Sequence, residues 1–123
     1  MTEKRVLVPG PDHPISVAPA GATVTVSLGG RTIAKTDRAL VLREASYPPV
    51  HYLPLDDVEA DALTRSSHET YCPFKGDASY YSLVSGDTVI ADAVWTYVTP
   101  YDAVSEIAGH MAFYPHHVEI SVA

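Results

Sequence analysis

Ten prolines and seven glycines divide the chain into short segments, and this punctuation constrains the fold more than any other feature of the sequence. Four of the prolines lie within residues 1–22. Because proline has a fixed φ and no backbone N–H, this stretch is predicted to be an extended arm with at most short edge strands. Residues 23–28 then alternate polar and apolar side chains, which is typical of a half-buried strand, and a two-glycine turn leads into the next strand.

Apolar and β-branched runs predict further strands along the rest of the chain. They cover residues 39–43, 58–63, 78–84, 88–92, 93–98, 110–114 and 118–122. Residues 44–54 are predicted to form a loop because prolines recur in them. One helix is predicted over residues 99–109, with Thr99 as its N-cap and Pro100 at its first helical position. The sequence therefore predicts one mainly β domain over residues 23–123, built from compact antiparallel sheets with one short C-terminal helix.

The charge balance and the hydropathy of the chain argue against several classes of partner. Hydrophobic residues make up 46% of the chain and charged residues 19%, which is typical of a folded globular protein. The formal net charge of −7 argues against nucleic acid or an anionic membrane surface as a partner, since both select basic surfaces. No apolar run approaches the roughly 18 residues of a membrane span, and the first residues lack the apolar stretch of a secretion signal. A cytoplasmic location is the resulting expectation.

The segment richest in reactive side chains, residues 68–76, contains His68, Cys72 and Lys75. We expect it to be a loop that leads into the strand over residues 78–84. A thiolate is a good nucleophile, an ammonium group lowers the pKa of a nearby thiol, and an imidazole can accept the thiol proton. One interpretation is therefore a nucleophilic Cys72 that is assisted by His68 or Lys75. The alternative is that this single cysteine is a small buried hydrophobic residue.

Eight tyrosines and one tryptophan provide the second functional signal. Aromatic side chains of a small β protein either fill its core or line a concave pocket with their polar ends turned inward. The aromatic residues expected to line such a pocket are Tyr47, Tyr52, Tyr80, Trp95 and Tyr97. Glu44 and Lys75 would supply opposite charges that orient a polar ligand. Glu44 is also a candidate general base, and the structural alternative is an ion pair with a neighbouring arginine.

The sequence does not indicate a metal or another cofactor. The six histidines show no spacing typical of a zinc site, because His116 and His117 are adjacent and would point apart in a strand. No glycine-rich phosphate-binding motif is present. We therefore expect neither a metal nor a cofactor.

Several longer motifs are characteristic when they are taken together. They are Gly-Pro-Asp-His-Pro-Ile at residues 10–15, Leu-Arg-Glu-Ala-Ser-Tyr-Pro-Pro at 42–49, Thr-Tyr-Cys-Pro-Phe-Lys-Gly-Asp-Ala-Ser-Tyr-Tyr-Ser at 70–82, and Val-Trp-Thr-Tyr at 94–97. On these motifs the chain resembles, over nearly its whole length, the bacterial family known as domain of unknown function 427, which is sometimes labelled nucleotidyltransferase-like. The resemblance implies a compact Mss4-like or β-tent fold, a group that includes zinc-stabilised modules, methionine sulfoxide reductases and aromatic-cage binders.

Three functions are compatible with these residues. The one we favour is a small-molecule-binding domain with an aromatic pocket, and the second is a thiol or acid–base enzyme that uses Cys72, Lys75 and Glu44. The third is a structural or interaction domain, whose arm packs against a second copy of the chain in a homodimer. The paired Cys-x-x-Cys motifs of the zinc-binding relatives are absent, so the resemblance implies a metal-free site. Nucleotidyl transfer requires carboxylates that hold Mg²⁺ and a phosphate cradle, and the sequence shows neither clearly.

Overall fold

The computed structural model describes residues 5–123, and these residues form ten strands and three short 3₁₀ helices. The strands are β1 (Ile15–Pro19), β2 (Val24–Leu28), β3 (Arg31–Thr36), β4 (Leu40–Glu44), β5 (Val50–Pro54), β6 (Leu63–Cys72), β7 (Gly76–Ser85), β8 (Thr88–Thr96), β9 (His110–Phe113) and β10 (Glu119–Val122). The helices are Leu55–Asp57, Ala60–Ala62 and Asp102–Ile107. The prediction of a mainly β protein is confirmed, whereas the specific Mss4-like or β-tent fold stays a prediction.

The strands form two antiparallel sheets. Seven strands make the large sheet in the order β1–β4–β5–β9–β8–β7–β6, and β10–β2–β3 make the small sheet. The predicted two-glycine turn joins β2 to β3, and Gly29 and Gly30 both have positive φ there, at 56° and 84°. In the large sheet β9 lies between β5 and β8, which come from distant parts of the chain. The sheet order therefore brings the ends of β4, β5, β8 and β9 into one region.

Side chains of the large sheet alternate between two separate cores. On β5, Leu53 packs in the first core, which the two sheets share. Its neighbour Tyr52 packs in the second core, on the opposite face of the large sheet. On β9, Met111 likewise packs in the first core and Ala112 in the second. The last 3₁₀ helix contributes its apolar residues to the second core. Because successive side chains of a strand point to opposite faces, the two-residue period decides which aromatic residues share a core.

The predicted C-terminal helix is present, but it starts later and is of a different type. It is a 3₁₀ helix over Asp102–Ile107 with Tyr101 as N-cap and no side-chain capping bond, so the predicted start at Thr99 and Pro100 is wrong. The N–H of Tyr101 donates instead to the carbonyl of Lys75 at 3.0 Å, which holds the chain before the helix against the β6–β7 turn. No helix among residues 5–123 combines the length and the apolar character that crossing a bilayer requires.

Three other local predictions are wrong. Residues 50–54 form strand β5 rather than a loop, because prolines occur only before the strand and at its last position. Residues 68–72 are not in a loop but belong to β6, which pairs with β7. Residues 58–62 do not form the predicted strand; they contain the second 3₁₀ helix, and β6 begins at Leu63.

The arm that is predicted over residues 1–22 can be followed from residue 5, since its first four residues lie outside the described part of the chain. Residues 5–8 lie outside the sheets, and the N–H of Leu7 donates to the carbonyl of Pro73 at 2.9 Å. The later strand β1 pairs with β4 at the edge of the large sheet. The boundary between arm and domain stays a prediction.

Candidate functional site

Glu44 lies at the centre of a partly buried charge network. Its Oε1 contacts Nζ of Lys75 at 2.5 Å, and its Oε2 contacts Nε2 of His13 at 2.7 Å. The side chains of Glu44 and Lys75 are only 14% and 13% exposed. The imidazole of His13 stacks on the ring of Phe74, with 4.0 Å between the ring centroids and 3° between the planes. The network therefore joins the arm, the end of β4 and the β6–β7 turn.

The two partners of Glu44 keep its carboxylate ionised. Burial by itself would raise the pKa of Glu44, but hydrogen bonds from Lys75 and His13, together with their electrostatic attraction, outweigh burial and lower that pKa from its usual 4.5. A general base works best when its pKa lies near the working pH. The lowered pKa makes Glu44 better suited to fixing and orienting a ligand than to accepting a proton at neutral pH.

A groove opens beside Glu44 because β5 and β9 diverge. The two strands pair at only two register positions, Leu53↔Met111 and Pro54↔His110. Beyond these positions β5 continues to pair with β4, and β9 continues to pair with β8, but β5 and β9 no longer pair with each other. The large sheet therefore has a gap between its third and fourth strands.

The groove at this gap has a volume of about 660 Å³, which lies within the range of small-molecule sites. Aromatic and apolar residues form most of its wall, namely Tyr47, Pro48, Pro49, Val50, Trp95, Phe113, Pro115, Ile120 and Val122. Glu44 and His51 complete the wall. Burial, and after it the charge of Arg43, lowers the pKa of His51 from its usual 6.5, so this imidazole is neutral at neutral pH. The lining residues thus place one negative charge on an otherwise apolar surface.

The structure brings three of the predicted site residues to the wall of this groove, and the others do not line it. Tyr47, which is 64% exposed, lines the groove together with Trp95 and Glu44. Lys75 does not line the groove, and it contacts Glu44 instead. Tyr52, Tyr80 and Tyr97 are buried in the second core. The binding roles of all these residues stay predictions.

The tyrosines behind the groove hold Trp95 in place. Nε1–H of Trp95 donates to the hydroxyl of Tyr52 at 3.2 Å, and the ring of Tyr114 lies 4.5 Å from the Trp95 ring. Tyr114 is hydrogen-bonded to Tyr80, whose hydroxyl lies 3.0 Å from Oγ1 of Thr70. Burial raises the pKa of Tyr52 to about 12, and burial together with the bond to Tyr80 raises that of Tyr114 to about 12. Both phenols are therefore protonated at neutral pH and act as hydrogen-bonding groups.

Cys72, the predicted nucleophile, lies at the end of β6 and is half-buried. His68 lies four residues earlier on the same strand, where extended backbone separates the two Cα atoms by about 13 Å. The ring of His68 packs 4.6 Å from the ring of Tyr80, and the ammonium group of Lys75 contacts Glu44. The structure does not place the imidazole of His68 beside the thiol, and catalysis by Cys72, Lys75 and Glu44 stays a prediction.

Three residues of this region, namely His13, Phe74 and His51, are not predicted from the sequence. His13 lies 31 residues before Glu44, so no local pattern connects the two side chains. His51 belongs to a segment whose prolines indicate a loop. The available signal was the alternation of Val50, His51 and Tyr52, which is typical of a strand.

The fold and the groove define a two-sheet antiparallel β protein with a ligand-sized groove at a gap in its large sheet. Over residues 16–123 the chain matches a protein family that is described as Domain of unknown function (DUF427). The chain belongs to this family, and the membership predicted from the motifs is confirmed. No curated protein is significantly similar to the chain. The family description assigns no activity.

Proposed function

We propose that the protein binds a small molecule in the groove between β5 and β9. The observation that carries this proposal is the make-up of the groove wall, in which aromatic rings and prolines surround one ionised carboxylate. Small-molecule sites commonly have this make-up, because apolar walls supply affinity and a few fixed polar groups supply orientation. The volume of about 660 Å³ is sufficient for a metabolite-sized ligand.

Trp95 and Tyr47 would contribute to binding in different ways. The indole N–H of Trp95 is already bonded to Tyr52, so the indole offers its ring rather than its donor to a ligand. Its orientation is fixed by Tyr52 and Tyr114 before any ligand arrives. Tyr47 is largely exposed on a loop with two prolines, and a ligand between the two rings would bury apolar surface of both.

Glu44 would act as the polar group that orients the ligand. Its two oxygens are each held by one partner, Lys75 and His13, so the carboxylate has little conformational freedom left to lose on binding. Each carboxylate oxygen can accept a second hydrogen bond, and a donor on the ligand would use this capacity. In this proposal Lys75 and His13 are positioning residues, which act on the ligand through Glu44.

A thermal-shift screen against metabolites tests the proposal, because a ligand that binds only the folded state raises the melting temperature. The chain has one tryptophan, and it lies in the groove, so a hit is expected to change the tryptophan fluorescence as well. Tyr47→Ala is expected to weaken the binding of a hit by at least about fivefold. It should leave the melting temperature of the free protein nearly unchanged, since the side chain is largely exposed.

Val89→Ala is the matched control, because Val89 is also largely exposed and lies outside the groove. This variant is expected to bind the hit as wild type does. Glu44→Gln, which removes the charge and keeps the shape, is expected to weaken the binding of a hit that has a hydrogen-bond donor. A hit that stabilises the wild type, Tyr47→Ala and Glu44→Gln equally would bind elsewhere and would contradict the proposal.

A further inference from the structure

The gap between β5 and β9 exposes backbone groups of β5 at the groove. In an antiparallel ladder, bonded and non-bonded positions alternate, so one bond at the end of the ladder fixes the direction of every following N–H. The N–H of Leu55 donates to the carbonyl of Gly109 at 3.0 Å, in register with the β5–β9 ladder. Leu53 and His51 lie two and four residues before Leu55, so the N–H and C=O groups of both residues point towards β9.

The backbone of Phe113 points into the same gap from the other side. The N–H of Tyr114 donates to the carbonyl of Ala93 at 3.2 Å, in register with the β8–β9 ladder. Tyr114 and Ala112 therefore point their backbone groups towards β8, and Phe113 between them points its N–H and C=O towards β5. Phe113 and His51 would be the next bonded pair of the β5–β9 ladder, but the ladder ends before them. Both residues line the groove.

We infer that the ligand of this groove carries a secondary amide, which bridges the backbone of His51 and Phe113; the inference rests on the proposed function. A trans secondary amide directs its N–H and its C=O to opposite sides, so one amide can donate to one strand and accept from the other. A carboxylate supplies acceptors only, and an ammonium group supplies donors only. A carboxylate can therefore pair only with the N–H groups of the two strand edges and an ammonium group only with their C=O groups, whereas one amide pairs with a group of each kind.

The surroundings of the two strand edges indicate what the amide is attached to. A backbone N–H or C=O beside an apolar wall destabilises the protein when it has no hydrogen-bond partner. An amide that bonds to it removes this destabilisation. Trp95, Ile120 and Val122 form the adjacent walls, which favour apolar or aromatic substituents. The ligand class is therefore a small amide with apolar or aromatic groups next to the amide bond.

Matched pairs of amides and esters test this inference. N-benzylisobutyramide and benzyl isobutyrate differ in one N–H, which an oxygen atom replaces in the ester, and further benzyl amides and esters extend the series. Binding is measured by titration of ¹⁵N-labelled protein at millimolar ligand. The amides are expected to shift the backbone N–H signals of His51 and Phe113, and to bind at least about fivefold more tightly than their esters.

The outcomes separate the inference from the proposed function. Esters that bind as tightly as the amides, or amides that do not bind while other compounds perturb Trp95, overturn the inference and leave the proposed function intact. If no compound of the metabolite screen binds near Trp95, both fail. A capped tetrapeptide with the same benzyl group that binds more than tenfold more tightly than the small amides would identify a polypeptide as the ligand, which overturns both the small-amide class inferred here and the proposed small-molecule function.

A backbone variant provides a second test. His51→Pro removes the N–H of residue 51, which points to the gap and not to β4, because Val41↔His51 is a non-bonded position of the β4–β5 ladder. His51→Ala removes the side chain and keeps that N–H, so it serves as the matched control. The ratio of amide to ester affinity should fall towards one in His51→Pro and stay as in wild type in His51→Ala. If His51→Pro does not fold, the amide and ester titrations of the wild type decide the matter.

Discussion

Replacing Lys75 by methionine tests the charge network at its most buried contact. Methionine keeps much of the length and the apolar part of the side chain but lacks the ammonium group, so Glu44 retains His13 alone. Breaking a buried ion pair costs about 3–5 kcal/mol, whereas an exposed pair is worth about 0–1 kcal/mol. The side chains of this pair are 13% and 14% exposed, so we expect the free energy of unfolding to fall by about 2–3 kcal/mol at neutral pH.

The loss is expected to depend on pH with a definite sign. The pKa of Glu44 is lowered in the folded protein, so this group stabilises the fold above its unfolded value of 4.5 and loses that contribution as the pH falls through the folded value. In Lys75→Met only His13 opposes the effect of burial on Glu44, so the pKa of Glu44 rises. Protonation of Glu44 in acid then removes part of the destabilisation that the substitution causes. The difference between wild type and variant should be largest near neutral pH and shrink below about pH 4.5.

Urea unfolding followed by tryptophan fluorescence measures the free energy of unfolding at each pH. A loss of this size should also lower the melting temperature by about 10 °C in a domain of this length. Lys35→Met is the matched control, because Lys35 is exposed on β3, and its effect should stay within about 0.5 kcal/mol. Equal losses in the two variants, or a Lys75→Met loss that is the same in acid, would refute the reasoning.

Three further predictions concern the Tyr52–Trp95 hydrogen bond, the His51 imidazole and the β6–β7 turn. Tyr52→Phe leaves the indole N–H of Trp95 without its acceptor and should cost about 1–2 kcal/mol in urea unfolding. In an alkaline absorbance titration, the same variant should lose one tyrosine ionisation step at a pH of about 12 and should keep all the steps near pH 10. Arg43→Gln should raise the pKa of His51 only part of the way to 6.5, because burial is the larger cause; NMR titration of the ring checks this, and an unchanged pKa would contradict it. Gly76→Ala should cost about 1–3 kcal/mol in thermal unfolding, because Gly76 has a φ of +108°; a loss below about 0.5 kcal/mol would be inconsistent with that strain.

Local signals account for the part of the fold that the sequence predicts. The β2–β3 hairpin is predictable because alternation and a two-glycine turn lie within adjacent residues. β5 is harder to predict, because its alternation covers only residues 50–52 and because a proline disrupts a sheet only where its missing N–H would be needed. Pro54 stands at the last position of β5, and nothing in the neighbouring sequence shows that this position tolerates it.

The candidate site is predictable in its residue types but not in its arrangement. Tyr47 and Tyr52 are the same residue type five positions apart, yet one lines the groove and the other is buried behind it. Strand order and the divergence of β5 from β9 decide this difference, and both are properties of the folded sheet. The contact of His13 with Glu44 likewise depends on a separation of 31 residues.

Glu44 stands midway between its two partners, since His13 lies 31 residues before it and Lys75 lies 31 residues after it. The attachment of two remote stretches of the polypeptide therefore depends on one acidic side chain. An event that neutralises it would loosen both stretches at once, so limited proteolysis near residue 13 and near residue 75 would begin together rather than in succession.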